Sequence, residues 1–580
     1  MITSTPGTAP SRLAARLLAG AATLILGACA AVAAPIIAEQ REPRPLESPY
    51  GSYLAGLWAD AAQSPEDAAR YYSQALERDP GNQMLTEQAL HASLLAGDWE
   101  GAARLAEAAL AADPANTEAR LALAVDAMAR EEWRDAERLL GEAQFGPLDD
   151  IAGAALLAWS HAAQGDEDEA LAALTGLEDS ALVAPLLGLH QAMIMDRARD
   201  AEAENAYRNA LDAYALPAYA TREYGRFLER RRRMDDARRA YQERLAAAPD
   251  DVATKAELAR LQARRRAPRT EPNEGAALAL YGAAAALIGR DFSDRAQTYL
   301  ILSARMDEDF APTRLLLGQI MASQGRYDQA AAMFNSAIGD PAMGVEARIS
   351  LAQLESLRGD DTAATEMLRV LWRDDGDEEA AMALAEALRA TEQWAEAETL
   401  LTELLTAREQ RGETADWRFL YGRAVARERQ GNWEGAEADF RAAIALNPSD
   451  ASLLNYLGYA MVDRGVNLEE GLDLIRQAVA LDPNAGYIVD SLGWAYYRLG
   501  DYRNAVQNLE RAVAMEPGAA DINDHLGDAY WRVGRELEAR FQWERALTLE
   551  PDAALSEAVH QKLSAGLPPG PTPPALAESR

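Results

Sequence analysis

At 580 residues the chain is too long for one compact core, so it is read as several domains or an extended solenoid. Its alanine, leucine, glutamate and arginine suit helices. A formal charge of −35 argues against a nucleic-acid binder, which needs a basic face to displace counterions, and permits a basic protein or peptide partner.

Residues 1–28 read as an export signal: Arg12 and Arg16 precede an apolar run from Leu17 to Gly27. Leu26-Gly27-Ala28-Cys29 resembles the lipobox of bacterial lipoproteins, in which the cysteine is acylated and becomes the mature N-terminus. Cys29 is the chain's single cysteine, so neither an internal disulfide nor a cysteine metal site is available. Two other readings stand beside the lipobox. Ala31-Val32-Ala33 fits an ordinary signal-peptidase site, and the uncharged run from Leu17 to Ala38 is about long enough (~20 residues) to remain as an anchor. All three place the body outside the cytoplasm. With Ala30 rather than aspartate after the cysteine, the lipoprotein resemblance implies sorting to the outer membrane, facing the periplasm. Residues 29–48, with Pro35, Pro43 and Pro45, read as an extended tether.

From Pro49 a repeat sets in and spans 49–261. Ala68, Ala102 and Ala136 recur at intervals of 34, as do Pro80 and Pro114, with weaker copies around Ala170, Ala203 and Ala237. An aromatic residue stands three places before the mid-repeat alanine at Trp99, Trp133, Tyr327, Trp394, Trp433 and Tyr502, where packing at a helix–helix turn explains it. Arginines crowd one stretch: Arg222, Arg226, Arg230 to Arg233, Arg238 and Arg239. They read as a solvated face or as a dock for an anionic partner such as lipid headgroups. Residues 262–275, with Arg264 to Arg266, Pro268 and Pro272, break the period and read as a linker between two blocks.

The second block, 276–553, shows the repeat most clearly at its end. Leu457-Gly458, Leu492-Gly493 and Leu526-Gly527 open three copies, followed by Gly465, Gly500 and Gly534. Small residues follow at Gly471, Ala505 and Ala539, then Ala478, Ala512 and Ala546, then Pro483, Pro517 and Pro551. A period near ~34 residues with this pattern resembles the tetratricopeptide repeat, a helix–turn–helix unit. The resemblance implies an all-α fold, a right-handed superhelical solenoid of about fourteen stacked units. Residues 554–565 fit a capping helix and 566–580 a disordered tail.

Catalytic motifs are missing. Neither Lys255 nor Lys562, the only lysines, lies in a phosphate-binding frame, and His91, His161, His190, His525 and His560 are too scattered for a metal. The expectation is no enzyme, no cofactor and no metal. In the family the first helix of each unit lines a concave groove. By its outward positions the last three units present Asn455, Tyr459, Tyr487, Asp490, Trp494, Tyr497, Arg498, Asp521, Asp524, Asp528, Trp531 and Arg532. Large aromatics among charges suit a binding hot spot, and the acids suit an arginine-bearing or basic peptide. These side chains equally fit packing within the superhelix or against the cap.

The runs Asn455-Tyr456-Leu457-Gly458-Tyr459, Asp490-Ser491-Leu492-Gly493-Trp494 and Asp524-His525-Leu526-Gly527-Asp528 are similar to the C-terminal part of long proteobacterial outer-membrane repeat lipoproteins. Some of these are adaptors of a periplasmic carboxyl-terminal processing protease that trims cell-wall hydrolases. The resemblance implies a membrane-tethered adaptor that binds proteins and raises their effective concentration. A scaffold of an export, secretion or outer-membrane assembly machine is the second reading. A glycan- or peptidoglycan-binding protein is the third.

Overall fold

A computed structural model of the protein describes residues 49–141, 149–175, 184–213, 216–248, 251–287 and 293–568. The expected signal segment and tether, with Cys29, lie outside these residues, as does the tail from residue 569. The described residues form thirty helices, fourteen antiparallel pairs plus two single helices.

The first six pairs are α1 (Pro49–Ala61) with α2 (Pro65–Arg78), α3 (Gln83–Ala96) with α4 (Trp99–Ala112), and α5 (Thr117–Ala129) with α6 (Trp133–Gly141). Then come α7 (Asp149–Gln164) with α8 (Glu167–Leu174), α9 (Ala184–Ala198) with α10 (Ala203–Ala213), and α11 (Pro217–Arg230) with α12 (Met234–Ala247). The single helix α13 (Val252–Gln262) follows. The pairs resume as α14 (Pro272–Leu287) with α15 (Ser293–Met306), α16 (Ala311–Ser323) with α17 (Tyr327–Ala337), and α18 (Gly344–Leu357) with α19 (Asp361–Asp375). Five more are α20 (Glu378–Ala390) with α21 (Trp394–Gln410), α22 (Trp417–Arg429) with α23 (Trp433–Leu446), α24 (Ala451–Arg464) with α25 (Leu468–Leu481), α26 (Gly486–Arg498) with α27 (Tyr502–Met515), and α28 (Ala520–Arg532) with α29 (Glu536–Thr548). The last helix, α30 (Ala553–Ala565), is single.

Local chemistry sets these boundaries. Side chains of Asn82, Asp98, Asp450, Asp501 and Asp552 accept backbone N–H groups at the starts of α3, α4, α24, α27 and α30. The recurrent aromatic residues Trp99, Trp133, Tyr327, Trp394, Trp433 and Tyr502 each begin the second helix of a pair. Three are covered by a cationic side chain from elsewhere in the stack: Arg305 over Trp99, Arg429 over Trp394 and Arg464 over Trp433. The small residues mark where helices touch. A methyl group added at Gly458 would lie 2.7 Å from the carbonyl oxygen of Gly471, and one at Gly527 would lie 2.5 Å from the Trp543 ring. Ala505, Ala512, Ala539 and Ala546 are fully buried at the same contacts.

The chain divides into two compact units within α19, between Met367 and Leu368. In the first unit the helices do more than stack in order. After α13 the chain doubles back: α14 packs on α7 and α9, and α15 packs on α5 and α3. Gly275 of α14 lies against the Trp159 ring of α7, closer than any larger residue would allow. Arg305 of α15 reaches Asp126 of α5 at 2.9 Å. One continuous core therefore runs from Leu90 to Leu317.

The stretch 262–275, expected to be a linker, is part of this packing. It comprises the end of α13, a short coil and the start of α14. Ala267 and Thr270 are buried. The Pro268 carbonyl accepts from Arg230 at 2.6 Å, the Thr270 carbonyl from Arg197 at 3.2 Å, and the Thr270 hydroxyl donates to Glu223 at 2.8 Å. The proline-rich break in the period is a reversal of direction held by buried polar groups.

The arginine-rich stretch changes meaning too. Arg222 and Arg226 pair with Glu223 at 3.0 and 3.1 Å, and Arg226 also with Glu257. Arg230 pairs with Asp196 at 2.6 Å, Arg233 with Glu204 at 2.7 Å, Arg238 with Asp235 and Arg239 with Asp236. Glu223, Glu229, Glu257 and Asp196 are buried. Arg222, Arg226 and Arg230 are thus internal partners of buried acids, whereas Arg231, Arg232 and Arg239 stay exposed.

Candidate interaction face of the second unit

All twelve residues expected to line a groove lie on α24, α26 and α28. These first helices pack directly on one another, α24 on α26 and α26 on α28, as well as on their own partners. That contact places them on one shared inner face. Side-chain bridges tie the three together. Ser452 and Tyr487 share a hydrogen bond of 3.0 Å, and Arg498 donates to the Asp463 carbonyl at 2.9 Å. Arg532 donates to the Tyr497 hydroxyl at 3.1 Å.

At the centre, Trp494 lies nearly parallel to two rings. Tyr497 stacks on it with centroids 4.7 Å apart at 7°, and His525 of α28 stacks at 4.2 Å and 17°. His525 Nδ1 sits 3.0 Å from both carboxylate oxygens of Asp490. Burial works against a charged imidazole, but Asp490, with help from Asp524 and Asp521, outweighs it and raises the His525 pKa to about 9. Burial raises the Asp490 carboxyl in turn, opposed by His525.

Asp524 and Asp528 are also buried, each about 5 % exposed. Lys562, from α30, spans both: its Nζ donates to Asp524 at 2.7 and 2.8 Å and to Asp528 at 2.9 Å. Trp543 Nε1 donates to Asp528 at 3.0 Å. Burial and the nearby Asp524 push Asp528 up to about 6 despite Lys562. Trp531 packs on Trp543 at 5.4 Å with Gly566 against its ring, and Arg532 donates to the Pro568 carbonyl at 2.6 Å. The end of the chain thus covers this part of the face.

The structure therefore sorts the expected residues. Asp490, Asp524 and Asp528 are paired by the chain's own His525 and Lys562, so they are not open acids awaiting a basic ligand. The reason is electrostatic: a buried carboxylate needs a cation of its own. Trp531 is fitted against the cap. Tyr459, Trp494, Tyr497 and Asp521 are only partly covered. Three buried side-chain atoms on these helices have no hydrogen-bond partner among the described residues, the Asn455 and Asn523 amide oxygens and the Trp494 Nε1. His525 and Lys562 were not among the expected site residues, although a signal for them exists. Lys562 follows Asp528 by 34 residues and His525 follows Asp490 by 35, so both share the repeat register of their partners. Among the described residues no group of three His, Cys, Asp or Glu side chains is arranged to hold a metal ion, and no helix is long and apolar enough to cross a membrane.

Two family models described as tetratricopeptide repeat match the chain. One covers residues 196–252, 315–378, 382–438, 421–486 and 491–554, and the other covers 93–160. A TPR repeat-containing protein of Pseudomonas aeruginosa is 36% identical over 96 residues, which is 17% of this chain and 16% of that protein. The chain thus aligns with about a sixth of that relative's length. Among solved structures, the APC/C hetero-tetramer Cut9–Hcn1 is similar over 89% of this chain and 96% of that chain, at 15% identity and a TM-score of 0.39. Yeast Tom70 is similar over 88% of this chain and 99% of that one, at 15% identity and a TM-score of 0.27.

Proposed function

Because the chain belongs to the tetratricopeptide repeat superfamily, whose members are typically non-catalytic scaffolds for proteins or peptides, we propose that it is an envelope-tethered adaptor whose α24–α26–α28 face holds a partner protein. The observation that carries this reading is the group of partly covered aromatic rings on neighbouring first helices, Tyr459, Trp494 and Tyr497. Such rings supply contact area for a bound segment, and Arg498 and Asp521, also partly covered, stand on the same helices.

The tether in this proposal is a lipid on Cys29, supported by the lipobox-like Leu26-Gly27-Ala28-Cys29. The partner pair is a periplasmic processing protease and its cell-wall hydrolase substrates, brought together by raised effective concentration rather than by chemistry of this chain. Two measurements test it. Metabolic labelling with a palmitate analogue is lost in Cys29→Ala if the anchor is right, and labelling that persists refutes it. Affinity capture from solubilised envelope compares the wild type with a Tyr459→Leu/Trp494→Leu variant, which removes ring area from the face. Recovery of the protease and hydrolases with the wild type and their loss with the variant supports the adaptor. Recovery of export or assembly components, or equal recovery by both proteins, overturns it.

A further inference from the structure

In the described turns between the two helices of a pair, one residue enters the left-handed backbone region. Glycine fills it at Gly97, Gly165, Gly325, Gly500 and Gly534, and Gln63, Glu131 and Glu392 fill it at others. After α9, α11 and the single helix α13 of the first unit, the residue is arginine: Arg199 (φ 59°), Arg232 (φ 63°) and Arg264 (φ 55°). A side chain is disfavoured in this conformation, and at these three turns it carries a positive charge. All three are exposed, and so are their neighbours Arg231, Arg265 and Arg266.

Internal bonds hold these turns beside one another. Arg230, at the end of α11, pairs with Asp196 near the end of α9 and donates to the Pro268 carbonyl. Arg260 of α13 pairs with Glu229 of α11 and donates to the Arg265 carbonyl at 2.7 Å. Most acids close by are held by other arginines, and Asp200 and Glu202, which keep their charge, are outnumbered by the six exposed arginines. Asp196, Glu223, Glu229 and Glu257 lie buried beneath, held by Arg222, Arg226, Arg230 and Arg260. Asp200 accepts the Glu202 N–H, Glu202 accepts from Asn205, and Asp235 and Asp236 pair with Arg238 and Arg233. Among the described residues none of the six exposed arginines has a carboxylate partner. A protein of net charge −35 thus carries one edge of concentrated positive charge.

We propose that this edge docks on an anionic lipid bilayer, the arginine row taking the phosphate groups of the lipids. Guanidinium groups bind phosphate oxygens in pairs, which suits them to a headgroup layer. A bilayer fits better than an acidic protein for two reasons. The arginines stand exposed at the ends of neighbouring helices, where one planar headgroup layer reaches them together. Met234, 43% exposed between Arg232 and Asp235, adds an apolar side chain that a headgroup boundary accepts. This docking does not depend on the face of α24, α26 and α28.

The test uses the full-length chain with Cys29→Ser, so that no acyl chain contributes, and sedimentation with vesicles. One set is phosphatidylcholine alone, and the other is equal parts phosphatidylcholine and phosphatidylglycerol. Any insertion by the apolar N-terminal run is common to both sets. The variant is Arg199→Gly/Arg232→Gly/Arg264→Gly, which removes three charges and relieves three strained backbones. Each basic residue near an anionic surface is worth about a fivefold change in partitioning, so the variant loses about a hundredfold on phosphatidylglycerol vesicles. Its thermal midpoint stays equal or rises, and added salt weakens wild-type binding. Equal binding by wild type and variant, or wild-type binding that ignores phosphatidylglycerol, overturns the proposal. Arginine-dependent binding of soluble polyglutamate without vesicle binding overturns it in favour of an acidic protein partner.

Discussion

Replacing Glu223 by glutamine tests what turns the first unit back on itself. Glu223 is 1% exposed and receives Arg222 at 3.0 Å, Arg226 at 3.1 Å and the Thr270 hydroxyl at 2.8 Å. Burial disfavours its charge, but Arg226, Arg222 and Thr270 outweigh that and draw its pKa from 4.5 down to about 2. The difference corresponds to about 3 kcal/mol of stability. A folded-state pKa below the unfolded value makes this contribution complete above about pH 4.5 and progressively lost as the pH falls toward 2. Glu223→Gln keeps the shape and removes the charge, so it forfeits about 3 kcal/mol at pH 7. The readout is amide hydrogen exchange in peptides covering Pro217–Arg230 and Pro272–Leu287. Opening there becomes about a hundredfold more frequent in the variant, while Gly486–Arg498 in the other unit serves as the unchanged reference. Urea unfolding of the wild type weakens between pH 5 and 3, and the variant shows a flatter acid limb. A change in exchange of less than about threefold refutes the argument that this carboxylate holds the reversal.

Other substitutions probe the second unit. The His525 pKa, raised to about 9, places stability fully below pH 6.5 and removes it as the pH rises through 9. Urea unfolding of this unit therefore weakens by roughly 3 kcal/mol across that window, and His525→Gln flattens the dependence. Lys562→Met leaves the buried pair Asp524 and Asp528 without a cation and costs roughly 3–5 kcal/mol, seen as a lower thermal midpoint and early proteolysis of α30. Ala505→Trp overpacks a fully buried contact and costs about 1–3 kcal/mol or more by urea unfolding. Trp494→Ala loses two stacked rings and lowers stability by about 1–3 kcal/mol, so an unchanged midpoint contradicts the stacking described here.

The sequence by itself determined the class of the protein and its local grammar. A 34-residue period with small residues at the contacts, and aromatics opening the second helices, follows from packing two neighbouring helices, and each neighbour is near in sequence. Trp99, Trp433 and Tyr502 were legible for that reason. The repeat register also fixed which helices carry the twelve expected residues, α24, α26 and α28. What the repeat could not reveal is which partner each polar residue finds. Asp490, Asp524 and Asp528 read as open acids, and only the tertiary structure brings His525 and Lys562 onto them. The basic run from Arg222 to Arg239 read as a solvated face or a dock, and only the fold gives Arg222, Arg226 and Arg230 their buried carboxylates. The largest difference is at 262–275. Prolines and arginines announce an interruption of the period, and that was visible. Whether the chain then continues outward or returns depends on contacts between residues far apart in sequence, such as Gly275 with Trp159 and Arg305 with Asp126. A periodic pattern records neighbours one repeat away, and it carries no information about helices that meet across the turn of a stack.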